Sequence, residues 1–391
     1  MAGKVRHPID TAALERYISE NVPEIKVPLD VKQFGFGQSN PTYQLTSPTG
    51  SKYVLRKKPA GELLSKAAHK VEREYRVISA LGSSPVPVPR AYALCEDPSV
   101  LGTPFYLMSF VSGRIFEDAA MPSASSPSER TALWKAAVEA IASLHRVDPD
   151  AVGLGSFGKR TGFYDRQLAT WSQICAAQAR TRDVDTGAPV GEIPHMAELM
   201  SFFGDATLRP ADRATLVHGD YKIDNVVFAA DEPRVAGILD WELSAIGHPL
   251  SDLANLLHPY VSASMSTSTS TSSSSAASEN KKAAVSAVSH PGFLPGATPG
   301  LPTPSQILAW YAAAAGWTPS AEDVAWASAF SVFRLAAICQ GIAARVARRQ
   351  ASSAEAQKHA AAMPLLGEFA WDLVRREQGK GKARGVGGAK L

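Results

Sequence analysis

The stretch Leu216–Phe228 reads LVHGDYKIDNVVF and decides the fold. An apolar lead-in is followed by Asp220, by Asn225 five residues later, and by a second apolar run. After a short turn, a return strand over Val235–Leu239 ends at Asp240. Because an antiparallel return brings the end of one strand beside the start of the other, we expect these three polar side chains to converge.

Carboxylate and carboxamide oxygens are the ligands that a hard divalent cation prefers. Mg²⁺ in particular keeps several waters and takes its remaining ligands from substrate phosphates. The stretch has neither the thiolates nor the paired histidines that zinc prefers. The convergence therefore favours a magnesium site, and the alternative is a set of turn and cap residues around a hairpin.

Composition limits the classes of protein to which the chain can belong. Its 391 residues, 45% hydrophobic and 20% charged, are typical of a globular protein with one large core or two smaller ones. With 40 basic and 37 acidic residues the net charge is +3, which gives little support for a nucleic-acid partner. No 18-residue apolar run and no signal-peptide core occur, so we expect neither membrane insertion nor secretion.

The three cysteines are far apart in the sequence. Cys95, Cys175 and Cys339 fit neither a disulfide framework nor a zinc site, which indicates a reducing compartment.

The order of strand-like and helical patterns predicts two lobes. Residues 1–109 contain strands, one main helix over 61–82 and then strands again, which indicates a small sheet carrying a helix. Residues 110–261 are mostly helical around the quoted loop, and helical patterns resume over 306–375. The fold class is therefore α+β, with a sheet-based N-lobe and a mostly helical C-lobe.

Two segments have the composition of disordered chain. Residues 262–305 are rich in Ser, Thr and Pro, and we expect them to form a disordered insertion within the helical lobe. Residues 376–391 are rich in Gly and Lys, and we expect a flexible tail.

The tail ends in Ala389-Lys390-Leu391, a small-for-small variant of the peroxisomal signal Ser-Lys-Leu. A peroxisomal import receptor is therefore an expected partner, and the expected compartment is the peroxisome, or otherwise the cytoplasm.

The N-lobe offers a candidate phosphate-binding turn. The sequence FGFGQSN over residues 34–40 places glycines between two strands, so that backbone amides could cover phosphates. A simple tight turn is the alternative. The candidate nucleotide-binding residues of this turn are Gly35, Gly37, Gln38, Ser39 and Asn40.

A buried ion pair is expected behind this turn. Glu74 lies on the apolar stripe of the 61–82 helix, and a carboxylate on a buried face needs a cation. Arg56, which shares a strand face with Val54, is the best candidate, with Lys57 as the alternative.

Together with ILDWE at residues 238–242, these features resemble the aminoglycoside/choline-kinase-like branch of the protein-kinase superfamily. The resemblance implies a protein-kinase-like fold and Mg²⁺-ATP-dependent phosphoryl transfer to a small-molecule hydroxyl. It makes Asp220 the catalytic base or hydroxyl-orienting residue, and Asn225 and Asp240 the Mg²⁺ ligands. Arg56 and Glu74 become the pair that positions the nucleotide phosphates, with Arg in place of the usual Lys.

The resemblance also assigns the two ends of the substrate site. Residues 108–111 become the hinge against adenine, with Met108 and Phe110 as nucleotide-binding residues. Four residues of the helical lobe face the acceptor: Arg166, Arg334, Gln340 and Arg345.

Arg334 lies on an apolar helix and needs a partner, which is either Asp252 or an anionic group of the substrate. Asp252 itself is expected to be a helix-start anchor. His218 is expected to orient backbone rather than to transfer protons.

A narrower resemblance concerns the acceptor. The motifs YVLRKKPAGELL, GLGSFGK and FRLAAICQGIAAR are similar to the kinase-like domain of acyl-CoA dehydrogenase family members ten and eleven. This implies phosphorylation of a hydroxyacyl-CoA that feeds fatty-acid breakdown. The alternatives are a choline- or aminoglycoside-like small-molecule kinase and a non-catalytic module that binds a nucleotide or acyl-CoA. A protein-substrate kinase is disfavoured because no Ala-Pro-Glu motif follows Asp240.

Overall fold

The N-terminal lobe of the computed structural model is built on one antiparallel sheet. Its strands are β1 (Ala2–Gly3), β2 (Asp30–Phe34), β3 (Thr42–Thr46), β4 (Lys52–Lys57), β5 (Ala91–Cys95) and β6 (Phe105–Ser109). Their spatial order is β1-β2-β3-β4-β6-β5. The helices of this lobe are α1 (Thr11–Asn21), α2 (Val71–Leu81) and the short α3 (Pro98–Leu101). The structure describes residues 2–35, 40–59, 70–267, 282–351, 353 and 355–387, and side chains as far as 379.

The two faces of this sheet carry different helices because side chains alternate along each strand. Leu55 of β4 is fully buried in a cluster with Leu14 and Ile18 of α1. Val54, on the opposite face, belongs to the cluster that contains Val77 of α2. Arg56 shares the face of Val54, so this alternation directs its guanidinium towards α2.

The C-terminal lobe is mostly helical, as expected. Its helices are α4 (Pro127–His145), α5 (Phe163–Ala179), α6 (Met196–Gly204), α7 (Leu250–Ser262), α8 (Pro304–Ala315), α9 (Ala321–Ala347) and α10 (Ala356–Gly387). Its strands are β7 (Thr215–Val217), β8 (Val226–Phe228), β9 (Val235–Ile238) and β10 (Ala245–Gly247). They form two two-stranded antiparallel sheets, β7 with β10 and β8 with β9.

The β8–β9 hairpin has the register that the sequence predicts. Val226 pairs with Ile238, and Leu239 N donates to Asn225 O at 2.9 Å. The residue after Leu239 is Asp240, so the hairpin itself brings Asp240 to the end of the sheet where Asn225 lies. This prediction is confirmed.

Helix α9 is the central helix of the C-lobe and contacts α5, α7 and α10. It is long and apolar enough to cross a membrane, yet 67% of its most apolar window is buried inside the protein. Packing against these neighbouring helices accounts for its apolar composition.

Part of the Ser/Thr-rich insertion is ordered, so the prediction of disorder over 262–305 is wrong for 262–267 and 282–305. Residues Ala263–Thr267 form a 3-10 turn after α7, and Ala284, Val288 and Phe293 are buried. Sparse apolar residues thus supply enough burial to order a chain that is polar on average. Residues 268–281 lie outside the described part of the chain.

Side chains of α4 fix the end of this insertion. Arg130 Nη1 donates to Pro299 O at 2.5 Å, and Thr131 Oγ1 donates to Gly300 O at 2.7 Å. Helix α8 follows at Pro304, two residues before the expected boundary.

The expected flexible tail is wrong for residues 376–387, since α10 continues to Gly387. The preceding turns of α10 are packed through Phe369, Ala370 and Val374, and extending a helix that is already formed is much less costly than starting one. Residues 388–391, which contain the Ala-Lys-Leu ending, lie outside the described part of the chain.

Gly300 gives a test of the packed insertion. Its φ is +86°, and an added Cβ would lie 2.1 Å from Pro127 O, so Gly300→Ala should force the segment away from α4. Gly296 also has a positive φ, +78°, but a Cβ there would meet nothing within 4 Å. We expect Gly300→Ala to lower the free energy of unfolding in urea by about 2 kcal/mol more than Gly296→Ala. Equal losses would show that the segment does not pack on α4 in solution.

Candidate active site

The loop between β7 and β8, which the sequence predicts to be catalytic and which is called the catalytic loop below, ends in a 3-10 turn, Ile223–Asn225. The Asn225 side-chain Nδ2 donates to Asp220 O at 2.9 Å and to Asp220 Oδ2 at 3.2 Å. Among the described residues no donor reaches the side-chain oxygen of Asn225. That oxygen is therefore available to a cation while the amide nitrogen orients Asp220.

Asp240 follows β9 in a left-handed conformation, with φ of 66° and ψ of 62°. A residue with a Cβ is strained there by roughly 1 kcal/mol or more, and such strain is concentrated at functional sites. Arg56 Nη1 donates to Asp240 Oδ1 at 3.1 Å and to Glu74 Oε1 at 2.5 Å. One guanidinium thus connects the sheet, helix α2 and the residue after the C-lobe hairpin.

The expected Arg56–Glu74 ion pair is present and nearly inaccessible to solvent. Burial raises the pKa of Glu74 to about 7, and the Arg56 charge acts in the opposite direction. Burial acts to lower the pKa of Arg56, but Glu74 and Asp240 outweigh it, so that the pKa is raised. The alternative cation, Lys57, donates to Leu101 O at 2.7 Å and is not the partner of Glu74.

Asp252 anchors the catalytic loop from the first turn of α7. It is fully buried and accepts from His218 N at 2.7 Å, from Gly219 N at 2.8 Å and from His145 Nε2 at 3.2 Å. Burial acts to raise the pKa of Asp252, but the hydrogen bonds from His145 and His218 outweigh it and lower the pKa. The expected helix-start anchor is thus in place, and it holds the loop as well.

His218 joins the loop to the end of β9. Its Nε2 lies 2.8 Å from Leu239 O and its Nδ1 accepts from Asp220 N at 3.2 Å. These contacts assign the proton to Nε2 and leave neither ring nitrogen free. The geometry agrees with a role in orienting backbone.

Asp220 is half-buried beside a lysine of its own loop. Burial raises the pKa of Asp220, while the Lys222 ammonium and His218 act to lower it. Lys222 Nζ lies 3.7 Å from Asp220 Oδ2 and 3.1 Å from Asp224 Oδ2. A carboxylate with a raised pKa is a better proton acceptor than an exposed one.

The expected nucleotide face is only partly described. Gly35 lies at the end of β2, whereas Gly37, Gln38 and Ser39 lie outside the described residues. Asn40 is fully buried, with its Nδ2 3.5 Å from Glu242 Oε2.

At the expected hinge, Met108 is buried in β6, where it pairs with Val54. The ring of Phe110 stacks on Phe34 with a centroid distance of 6.5 Å and an interplanar angle of 8°. Ser109 ties this strand end to Arg90. Its Oγ accepts from Arg90 N at 2.9 Å, and its backbone N donates to Arg90 O at 2.8 Å.

The four residues expected to face the acceptor have different surroundings. Arg166 donates to the carbonyls of Lys159 and Thr161, in the loop before α5. Gln340 is fully buried and donates to Gly191 O at 2.8 Å, a contact that gives it a packing role. Arg345 is exposed on α9, whereas Arg334 of the same helix buries its Nε.

The sequence interpretation missed several contributors to the site. Lys222 belongs to the quoted motif, and its position two residues after Asp220 was the available signal. Glu242 approaches Arg56 Nη2 at 4.0 Å, and its place in ILDWE was the corresponding signal. No local sequence pattern predicts the contact of Asp252 with the loop, because its partners lie more than 30 residues away in the sequence.

A cavity of about 560 Å³ adjoins the catalytic loop. It is lined by Lys222, Ile223 and Asp224 of the loop, by residues of α7 and by residues 289–293 of the insertion. Its volume is in the range that accommodates a small molecule.

The two lobes and the loop between β7 and β8 define a kinase-like phosphotransferase fold. The sequence profile described as "Phosphotransferase enzyme family" matches residues 30–270, more than half of the protein. The chain belongs to this family.

Solved structures agree with this assignment. A Ralstonia eutropha JMP134 protein, provisionally named an aminoglycoside phosphotransferase, is 36% identical with a TM-score of 0.74, and the match covers 94% of this chain and 99% of that one. The GDP complex of aminoglycoside 2'-phosphotransferase-IIIa is 15% identical with a TM-score of 0.56, covering 93% and 99%. The second match shows likeness of fold alone.

Curated relatives are longer proteins. Acyl-CoA dehydrogenase family member 11 of Gallus gallus is 36% identical over 375 residues, which is 95% of this chain and 44% of that protein. Acyl-CoA dehydrogenase family member 10 of Mus musculus is 35% identical over 367 residues, 93% of this chain and 31% of that protein. The chain thus spans less than half the length of these relatives.

Asp252→Asn tests the anchor of the catalytic loop. A carboxamide has one acceptor oxygen in place of two, so at least one buried donor loses its partner. We expect the free energy of unfolding at pH 7 to fall by about 3 kcal/mol, measured with urea. Because the pKa of Asp252 is lowered on folding, this contribution is present above its ordinary value and is lost as the pH falls through the lowered one. The exposed Asp231→Asn is the control, and equal stability of both variants would contradict the anchoring role.

Proposed function

We propose that the protein is a Mg²⁺-ATP-dependent phosphotransferase that acts on a hydroxyl of a small molecule. The observation that carries this proposal is the arrangement of three side chains at one end of the β8–β9 hairpin. Asn225 holds Asp220, and the hairpin brings Asp240 to the same end, where its carboxylate contacts the buried Arg56–Glu74 pair. The family supports phosphoryl transfer in general terms. The nucleotide and the acceptor are inferred from the chemistry of these side chains.

The donor set fits magnesium. The side-chain oxygen of Asn225 is free of donors among the described residues, and Asp240 supplies a carboxylate, so both ligands are the hard oxygens that Mg²⁺ prefers. When bound there, the ion would neutralise negative charge on the nucleotide phosphates. Two hydrogen bonds would keep the ligands in this geometry, one from Asn225 to Asp220 and one from Arg56 to Asp240.

Asp220 would hold the acceptor. Its carboxylate accepts the hydroxyl proton as the acceptor oxygen bonds to the γ-phosphorus and the bond from phosphorus to the β–γ bridging oxygen breaks. The raised pKa of Asp220 favours this proton transfer. Asn225 orients the Asp220 carboxylate before the reaction begins. Such positioning of the reacting groups supplies much of the rate enhancement at sites of this kind.

The nucleotide would lie between the lobes. Arg56, fixed by Glu74, presents a permanent cation from the sheet, and a guanidinium binds phosphate oxygens in a forked geometry. The apolar surface of Met108, Phe110 and Phe34 at the expected hinge is suited to an aromatic base.

A hydroxyacyl-CoA is our first candidate for the acceptor. Its support is the similarity over more than nine tenths of the chain to proteins named acyl-CoA dehydrogenase family members, together with the cavity beside the catalytic loop. An amino alcohol or an aminoglycoside is the second candidate, supported by the names of the neighbouring structures. A non-catalytic binding module is disfavoured because the side chains that hold Asp220 in place are all present.

Substitution of the two aspartates tests the reaction. With Mg²⁺-ATP and a panel containing a hydroxyacyl-CoA, choline and an aminoglycoside, we expect Asp220→Ala to lower kcat by at least about 10³-fold and to leave nucleotide affinity largely intact. Asp240→Ala should lose both turnover and Mg²⁺-dependent nucleotide affinity, because it removes a metal ligand and a partner of Arg56. ADP release and calorimetric titration measure the two quantities.

The exposed Glu232→Gln, in the hairpin turn, serves as the control. A fully active Asp240→Ala protein would refute the metal assignment. Absence of nucleotide binding by the wild type would favour the module that binds acyl-CoA only, and turnover on choline alone would exclude the hydroxyacyl-CoA.

We also propose that Ala389-Lys390-Leu391 is read by the peroxisomal import receptor. A fluorescent reporter that ends in residues 380–391 should accumulate in peroxisomes. A reporter with Leu391 removed should stay diffuse, because the receptor binds the tripeptide at its free carboxylate. A diffuse signal from the intact fusion would contradict the proposal.

A further inference from the structure

Arg334 is a partly buried cation that has no counter-ion among the residues that the structure describes. It lies on α9, which packs against α5, α7 and α10. Its Nε is buried and has no hydrogen-bond partner among the described residues. No described carboxylate lies within 4.0 Å of its guanidinium, although two aspartates act on it electrostatically.

Those two aspartates are Asp220 and Asp252, and both are engaged elsewhere. Asp252 accepts from the backbone of His218 and Gly219 and from the His145 ring. Asp220 is held by Asn225 and lies 3.7 Å from Lys222 Nζ. The internal ion pair between Arg334 and Asp252, one of the two alternatives left open by the sequence, is therefore not formed.

An uncompensated charge in this environment is unfavourable for the folded protein. Burial lowers the pKa of Arg334, with Asp220 and Asp252 acting in the opposite direction. A guanidinium nevertheless stays charged, so folding leaves a cation that is only partly solvated. A ligand that brings an anion would relieve that penalty, whereas an uncharged ligand would not.

The location of Arg334 indicates which of the two substrates, the nucleotide or the acceptor, would bring the anion. Glu74 and Asp240 hold Arg56 on the N-lobe side of the site, where the nucleotide phosphates are expected. Arg334 instead belongs to the C-lobe. One turn before it on α9, Ser331 Oγ donates to Asn255 Oδ1 at 3.3 Å, and Asn255 Nδ2 donates to Gly219 O at 3.4 Å, directly before Asp220. This part of α9 therefore lies on the side of Asp220, the residue that would hold the acceptor hydroxyl. Tyr164 of α5, whose hydroxyl is likewise buried without a partner among the described residues, adds a second polar group to this side.

We propose that Arg334 binds an anionic oxygen group of the acceptor, a carboxylate or a phosphate, and so makes the enzyme selective for negatively charged acceptors. The inference rests on the proposed function, because it takes Asp220 as the residue that faces the acceptor hydroxyl. A guanidinium offers two parallel N–H donors to such a group. The anion has two candidate sources, the carboxylate of a free hydroxy acid and the phosphates of its CoA thioester.

Binding to three matched acceptors tests the proposal without requiring turnover. The panel contains a hydroxy acid, its CoA thioester and its uncharged N-acetylcysteamine thioester, titrated calorimetrically into protein saturated with Mg²⁺ and a non-hydrolysable ATP analogue. We expect the wild type to bind at least one charged acceptor about 10-fold or more tightly than the uncharged one. Arg334→Gln should abolish this preference and Arg334→Lys should keep part of it, since it retains the charge. The charged acceptor that Arg334→Gln binds more weakly than the wild type does identifies the source of the anion.

Several outcomes would overturn the proposal. Equal loss of affinity for charged and uncharged acceptors in Arg334→Gln would indicate a structural role, as would loss of nucleotide affinity. A wild type without charge preference, or one that binds none of the panel, would equally contradict it. Arg348→Gln, an exposed arginine at the end of α9, is the matched control and should leave the preference unchanged. A charge preference without any phosphate transfer would support the role of Arg334 and refute the proposed reaction alone.

Discussion

A single buried carboxylate holds the catalytic loop in place. Asp252 accepts from two successive backbone amides of the loop, so it fixes the direction of the chain immediately before Asp220. The turn after Asp240 also confines the loop, because Gly219 has a φ of +88° and an added Cβ would lie 2.4 Å from Leu243 O. The conformation of the site thus depends on α7 and on the turn after Asp240, both of which belong to the C-lobe.

Charge is distributed unevenly around this loop. On the N-lobe side, Arg56 is shared among Glu74, Asp240 and, at 4.0 Å, Glu242, so its charge is balanced inside the protein. On the C-lobe side, Arg334 has no such balance within the described residues. Because a charge that is shielded from water is stabilised by an opposite charge, Arg56 is balanced without a ligand, whereas the partly buried Arg334 is not.

The sequence predicted those parts of the fold that depend on local pattern. Strand alternation placed Arg56 on the face of α2, the apolar stripe of α2 placed Glu74 opposite it, and the β8–β9 hairpin placed Asp240 beside Asn225. The order of residues 282–305 could not be predicted, because it depends on the burial of a few apolar side chains and on contacts from Arg130 and Thr131 to carbonyls 169 residues further along the chain. The role of Asp252 in the loop and the isolation of Arg334 depend on distant partners for the same reason.

The presence of arginine at residue 56 also determines which covalent reagents this strand can react with. Acylating nucleotide probes and lysine-directed inhibitors require a neutral amine beside the phosphates, and a guanidinium held between two carboxylates does not lose its proton. The nearest amine on β4, that of Lys57, donates to Leu101 O at 2.7 Å and is therefore engaged elsewhere. Reagents that require an amine at the position of Arg56 would thus not react there, and the exposed amine of β4 is that of Lys52, at the other end of the strand.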